Sequence, residues 1–206
     1  MYMKTDNLNF AKSQERITHV HRINKILTCL LPESRNIALD DNMLFRLNEK
    51  KEIGIIKDGC FILRGANNRK VIDRQVGPYL FMPCLQDDPL IQTLTSARLY
   101  LISMEKAVHL IREYNLWEDM FFIVRHNVMQ LARWQIILKL PSSFEIVYEA
   151  LKVMNTEPPE IKYSVNALNY VQEKTALSRS CILKIFSELT QKKLISLRRG
   201  TLMSIK

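Results

Sequence analysis

No apolar run in the 206-residue sequence reaches the roughly 18 residues that a membrane-spanning helix needs. Residues 1–12 are polar and lack the apolar stretch of a secretory signal, so the expected location is the cytoplasm. Cysteine is sparse: Cys29, Cys60, Cys84 and Cys181 stand far apart and form no Cys-x-x-Cys pair. That spacing argues against zinc or iron–sulfur sites held by neighbouring thiolates. The plainest reading is four reduced thiols packed as small hydrophobes, with a redox-sensing thiol as the rarer alternative. Catalytic signatures are missing too. There is no Gly-x-Ser-x-Gly, no phosphate-binding glycine loop and no Cys–His or paired-carboxylate constellation. His19 and His21 resemble half of a metal or haem site, but with no nearby acid or thiol they read as plain surface. No enzyme, cofactor or metal is expected.

Acid is outnumbered as well. Thirty Lys and Arg against 21 Asp and Glu leave a formal charge of +9, which favours a polyanionic partner. Placement says more than the sum. After Lys162 the bases are Lys174, Arg179, Lys184, Lys192, Lys193, Arg198, Arg199 and Lys206, opposed only by Glu173 and Glu188.

Hydrophobic spacing organises the rest. Leu8 to Leu31 reads as a helix, with Ile17, Val20, Ile23, Leu27 and Leu30 at steps of three and four, closed by Pro32. From Asn42 to Ser103 short apolar runs alternate with turns, giving strand candidates Met43–Leu47, Ile53–Lys57, Cys60–Arg64, Val71–Val76 and Arg98–Ser103. Asp58-Gly59 reads as a tight hairpin, and Gly65-Ala66-Asn67-Asn68 and Gly77-Pro78 as further turns. Such strands build a small β-sandwich or barrel. A short helix around Ala107, Leu110 and Ile111 follows, and then a long one from Asn115 to Leu140, about 39 Å at 1.5 Å per residue. Its stripe of Trp117, Phe121, Val124, Val128, Leu131 and Leu138 exceeds what one domain covers, and a second copy of the chain is the natural partner, with burial inside one monomer the alternative. Pro141 ends that helix, Ser142 with Glu145 forms a capping box for the next, and Thr156 to Glu160 reads as a rigid surface loop.

Asn166 to Ile205 carries the function. Val165, Leu168 and Val171 face one side of a short helix ending near Thr175. Ala176-Leu177-Ser178 is a turn, with Ser178 placed to cap a second helix that buries Ile182, Ile185, Phe186 and Leu189. A strand from Leu194, a basic tip at Arg198-Arg199-Gly200 and a return strand Leu202–Ile205 complete the order of a winged helix-turn-helix. In that geometry the recognition helix enters the major groove by its N-terminal part, where Ser178, Arg179, Ser180 and Lys184 can reach bases and phosphates. Arg179 and Lys184 stand five apart, on neighbouring faces. Arg198 and Arg199 would meet flanking phosphates.

The stretch Val171-Gln172-Glu173-Lys174-Thr175-Ala176-Leu177-Ser178-Arg179-Ser180 resembles the helix-turn-helix of the CRP/FNR superfamily of regulators. Two departures stand out: Ala176 where Gly is usual, and Gln172 at the usual site of a small buried residue. Upstream, residues 55–63 resemble the superfamily's β-roll strand–turn–strand, residues 77–81 the segment leading into its phosphate-binding cassette, and residues 97–102 the last roll strand. The segments Asn115-Leu116-Trp117, Asn169-Tyr170-Val171, Ser178-Arg179-Ser180 and residues 200–205 are most similar to an enterobacterial branch, the inhibitor-of-peroxide-resistance type.

The resemblance implies an α+β chain in three parts. These are a helix and β-roll over residues 1–113, a long dimerisation helix over 114–140, and a winged helix-turn-helix over 141–206. It also implies a homodimer on double-stranded DNA, with RNA polymerase as a further partner. A cyclic nucleotide is not implied. Where the superfamily holds one through a Gly-Glu pair and an Arg, this chain has Met82-Pro83-Cys84-Leu85 and then Asp87-Asp88, with no Arg between Arg74 and Arg98. The rival readings are a protein-interaction adaptor with only vestigial DNA affinity and, more remotely, an enzyme on a β-barrel scaffold.

Overall fold

The computed structural model describes residues 4–46, 52–65, 70–82 and 90–206, with side chains from Ile17 onward. The chain divides into two compact units, residues 1–128 and 129–206. In the first, helix α1 (Lys4–Leu30) runs into a 3-10 turn, Leu31–Glu33, that contains Pro32. Ile23, Ile26, Leu27 and Leu30 form its buried face, whereas Ile17, placed on that face by periodicity, is 62% exposed.

Eight strands follow: β1 (Arg35–Leu39), β2 (Leu44–Arg46), β3 (Glu52–Ile56), β4 (Cys60–Arg64), β5 (Val71–Val76), β6 (Tyr79–Phe81), β7 (Leu90–Thr93) and β8 (Ala97–Ser103). They pair antiparallel in two four-stranded sheets, ordered β1-β8-β3-β6 and β2-β7-β4-β5. Leu39, Ile56, Phe61, Leu63, Phe81, Ile91, Leu99 and Leu101, drawn from both sheets, form one core cluster. The alternate residues Ile53, Ile55, Leu80 and Ile102 join a second cluster with the helices. The first sheet is therefore covered on both faces, which is why β3 reads as an apolar run rather than an alternation.

Asp58-Gly59 is not a hairpin. β3 and β4 lie in different sheets, so this turn carries the chain from one layer to the other. Gly59 has φ +93°, and a Cβ there would lie 2.6 Å from the carbonyl oxygen of Ser96. Arg98 grips the Asp58 carboxylate through Nε at 2.8 Å and again through its second guanidinium nitrogen. That side-chain hydrogen bond holds the Asp58 carboxyl below its ordinary value of 3.8. Gly77 also turns between the sheets, its N–H donating to the Gly59 carbonyl at 2.9 Å. Leu47, Ala66, Asn67 and Asn68 of the expected strand and turn lie outside the described residues, as do Pro83, Cys84, Leu85, Asp87 and Asp88.

Helix α2 (Met104–Glu113) buries Ala107, Leu110 and Ile111 as its spacing predicts. Helix α3 (Trp117–Leu138) has 22 residues, about 33 Å, two residues shorter at each end than the sequence indicated. Left-handed Asn115 (φ 52°) delays its start. Met120 and Ile123 are buried, while Trp117, Phe121, Val124, Val128, Leu131 and Leu138 are all exposed in the single chain. Asp119, in the first turn of α3, is 4% exposed and accepts from Arg22 Nη1 at 2.8 Å and Lys25 Nζ at 2.6 Å. The His19–His21 reading changes: His21 is exposed, but His19 is half-buried and stacks on His126 of α3 with ring centres 4.0 Å apart. A cleft of about 150 Å³ there is lined by Thr18, His19, Arg22, Phe122, Arg125 and His126. Among the described residues no helix is long and apolar enough to cross a membrane, and no three His, Cys, Asp or Glu side chains gather to hold a metal.

The second unit is built from α4 (Ser143–Asn155), α5 (Pro159–Lys162), α6 (Ala167–Lys174), α7 (Arg179–Gln191), β9 (Ile195–Arg198) and β10 (Thr201–Ile205). Ser142 caps α4, accepting from the Glu145 N–H at 3.2 Å and donating to its carboxylate at 2.8 Å. The expected surface loop Thr156–Glu160 is different in kind, because Pro158 is buried and Pro159 opens the one-turn helix α5. Val147, Leu151, Met154, Tyr170, Val171, Ile182, Phe186, Leu189 and Leu202 anchor the core of this unit.

Candidate nucleic-acid interface

Two side-chain caps set the helix-turn-helix. Asn166 accepts from the Asn169 N–H at 2.7 Å and starts α6. Ser178 accepts from the Cys181 N–H at 3.3 Å and starts α7. Between them Thr175 ends α6 in an extended conformation, its hydroxyl donating to the Val171 carbonyl at 2.8 Å. Ala176 carries no positive φ, so the absence of glycine there costs no backbone strain. Gln172 is exposed rather than buried, and the small residue that lets α6 pack closely is Ala167, fully buried.

Helix α7 is sharply two-sided. Ile182, Ile185, Phe186 and Leu189 are buried, and Arg179, Ser180, Leu183, Lys184 and Ser187 are exposed. Its far end closes with Lys193 in the left-handed region (φ 54°). The Lys193 N–H donates to Thr190 O and the Leu194 N–H to Leu189 O, both at 2.9 Å, which turns the chain directly into β9. Strands β9 and β10 then form the wing, with Arg198 opposite Thr201. Arg199 (φ 49°) and Gly200 (φ 81°) make the two-residue turn, both left-handed as a type I′ hairpin requires. The Gly200 carbonyl accepts from the Ala167 N–H at 2.8 Å, tying the wing tip to the start of α6.

The residues expected to meet DNA therefore fall in two places. Ser178, Arg179, Ser180 and Lys184 occupy the N-terminal half of α7 and its cap, all exposed. Arg198 and Arg199 are exposed at the wing. Ser178 is partly committed, since its hydroxyl caps the helix and lies 3.1 Å from the Ser180 hydroxyl. Among the described residues none of Arg179, Lys184, Arg198 and Arg199 is paired with an acid, whereas Lys192 is held by Glu188 at 2.6 Å. The sequence reading missed Leu183 and Ser187 because it sought only charge and hydrogen-bonding groups near the cap. Their step of four from Arg179 and Leu183 respectively was the available signal.

Residues 143–206 match the protein family described as winged helix-turn-helix DNA binding. The chain is similar to the inhibitor of hydrogen peroxide resistance of Salmonella typhimurium, 24% identical over 108 residues, which is 52% of this chain and 51% of the relative. The match thus spans about half the length of that curated relative. Among solved structures, the c-di-GMP-responsive global regulator CLP of Xanthomonas campestris superimposes with a TM-score of 0.64 at 13% identity, covering 89% of this chain and 99% of its own. A variant of CooA from Carboxydothermus hydrogenoformans gives a TM-score of 0.67 at 11% identity, covering 86% and 85%. The fold shared with these structures is a β-roll, a long helix and a C-terminal winged helix-turn-helix.

Proposed function

We propose that the protein is a sequence-specific transcription regulator that binds double-stranded DNA as a homodimer and whose β-roll takes no cyclic nucleotide. One observation carries the reading: four exposed cations, free of acidic partners among the described residues, stand on α7 and the wing of a unit that matches a DNA-binding family. Arg179 and Lys184 read bases or grip phosphates closely in the major groove, Ser178 and Ser180 contact the backbone beside them, and Arg198 and Arg199 touch flanking phosphates only. The exposed stripe Trp117, Phe121, Val124, Val128, Leu131 and Leu138 supports pairing with a second copy. Two half-sites would then lie about 34 Å apart on an inverted repeat. RNA polymerase is the partner through which such a regulator acts, and its place of work is the cytoplasm.

The nucleotide claim rests on sequence and on one contact. Met82-Pro83-Cys84-Leu85 and Asp87-Asp88 stand where an anion would need a cation and amides. The nearest following arginine, Arg98, is committed to Asp58. Calorimetry with millimolar cyclic AMP is expected to show no binding heat.

Selection from random DNA, followed by footprinting and salt titration of mutants, tests the whole. Arg179→Ala or Lys184→Ala is expected to cost about 1–3 kcal/mol and to relax preference at one position. Arg198→Ala with Arg199→Ala weakens all sequences alike and flattens the salt slope by roughly one to two units. Recovery of no preferred sequence, with every mutant binding like the parent, would replace this reading with the adaptor.

A further inference from the structure

The outward face of α7 carries one anomaly. Arg179, Ser180, Lys184 and Ser187 are the polar residues expected of a surface that meets DNA, but Leu183 among them is 44% exposed. Leu183 lies four residues beyond Arg179, three beyond Ser180 and four before Ser187, so it occupies the same stripe, one turn into the helix. It is not needed for the core. Ile182, Ile185, Phe186 and Leu189 fill the opposite face and are nearly or fully buried.

A bare isobutyl group pressed into a major groove is selective. Guanine, adenine and cytosine present donors or acceptors there, and a leucine against them strips water from a polar edge and returns no hydrogen bond. Thymine alone among the bases presents an apolar group, its C5 methyl. We infer that Leu183 is a specificity-determining residue that selects thymine in each half-site by packing on the C5 methyl. This rests on the reading of α7 as the recognition helix and adds a base preference that hydrogen-bonding residues do not supply. The neighbours complete the local contact: Ser180 and Ser187 lie one turn before and one turn after along the same stripe, and Lys184 stands beside it.

The test uses the full-length protein and the operator recovered by selection. Each thymidine of the recovered site is replaced in turn by deoxyuridine, which removes the methyl and leaves the pairing edge unchanged. At one thymine per half-site the parent is expected to lose about fourfold in affinity, the worth of one buried methyl group. Leu183→Ala is expected to bind thymidine and deoxyuridine alike at that position, and its unchanged thermal melt would show that the fold is intact. Replacing cytosine by 5-methylcytosine at the same position of a mismatched site is expected to restore part of the parent's affinity, not that of Leu183→Ala. A preferred operator whose binding ignores every thymine methyl, or a methyl effect that survives in Leu183→Ala, overturns the inference alone. Failure to recover any preferred sequence overturns the regulator reading, and this inference with it.

Discussion

Arg199 sits where glycine or asparagine is at ease. Its φ of 49° is a left-handed conformation that costs an ordinary side chain about 1 kcal/mol, yet the residue at the wing tip is a long cation. The protein thus gives up some hairpin stability to hold a guanidinium at the end of the wing. Arg199→Asn, which restores an Asn-Gly turn, is expected to raise the melting temperature and to lower DNA affinity at low salt. A melt and a binding isotherm moving in the same direction would contradict this. Asp58 makes the opposite case, a charge used for architecture. Its folded carboxyl lies below 3.8, so its contribution to stability is complete above that pH and disappears as pH falls through the lower, folded value. Because the pair is half exposed, the effect is small. Asp58→Asn is expected to lower stability slightly at neutral pH and to flatten the loss of stability below about pH 4, converging on the parent in acid, as read by denaturant melts across pH.

At the scale of elements, legibility followed the pattern of apolar residues. Helices α2, α6 and α7 could be read from the sequence because each has one apolar face and an N-cap serine or asparagine. Strands β1, β6 and β7 were missed although β2, β3 and β4 are just as short: β1 opens on Arg35-Asn36, β7 ends on Gln92-Thr93, and β6 follows directly on the Gly77-Pro78 turn, so none stands out as an apolar run bounded by turns. Asp58-Gly59 was read as a hairpin because the dipeptide reports a positive φ but not which sheet the next strand joins. The exposed cations of α7 and the wing were legible as a cluster, whereas the exposure of Leu183 was not, because an exposed leucine and a core leucine look alike in a sequence. Asp119 was invisible for a related reason. Only the fold brings Arg22 and Lys25 of α1 to it across about a hundred residues of chain. Buried and held from two sides, it locks α1 to the first turn of α3. Asp119→Asn keeps the shape but loses the charge, and is expected to destabilise the N-terminal unit by about 2 kcal/mol in chemical denaturation. An unchanged unfolding midpoint would mean that the two cations are satisfied by water.

At the scale of the whole molecule, eight large apolar side chains along α3 are uncovered in one chain, the stripe from Trp117 to Leu138 together with Met129 and Ile136. Val124→Glu with Val128→Glu places repelling charges across a twofold contact on that stripe, and light scattering is expected to show half the parent's mass. An unchanged mass, or a parent already monomeric, would locate the dimer elsewhere or nowhere. If the stripe pairs two copies as proposed, the protein's behaviour depends on its own concentration. Folding and pairing are linked by mass action, so the melting temperature is expected to climb as the protein is concentrated. In the proposed dimer on an operator, dilution would first separate the two copies and leave each to grip a single half-site. Occupancy would then fall more steeply than a simple hyperbola, and a modest change in abundance would switch the site from empty to filled.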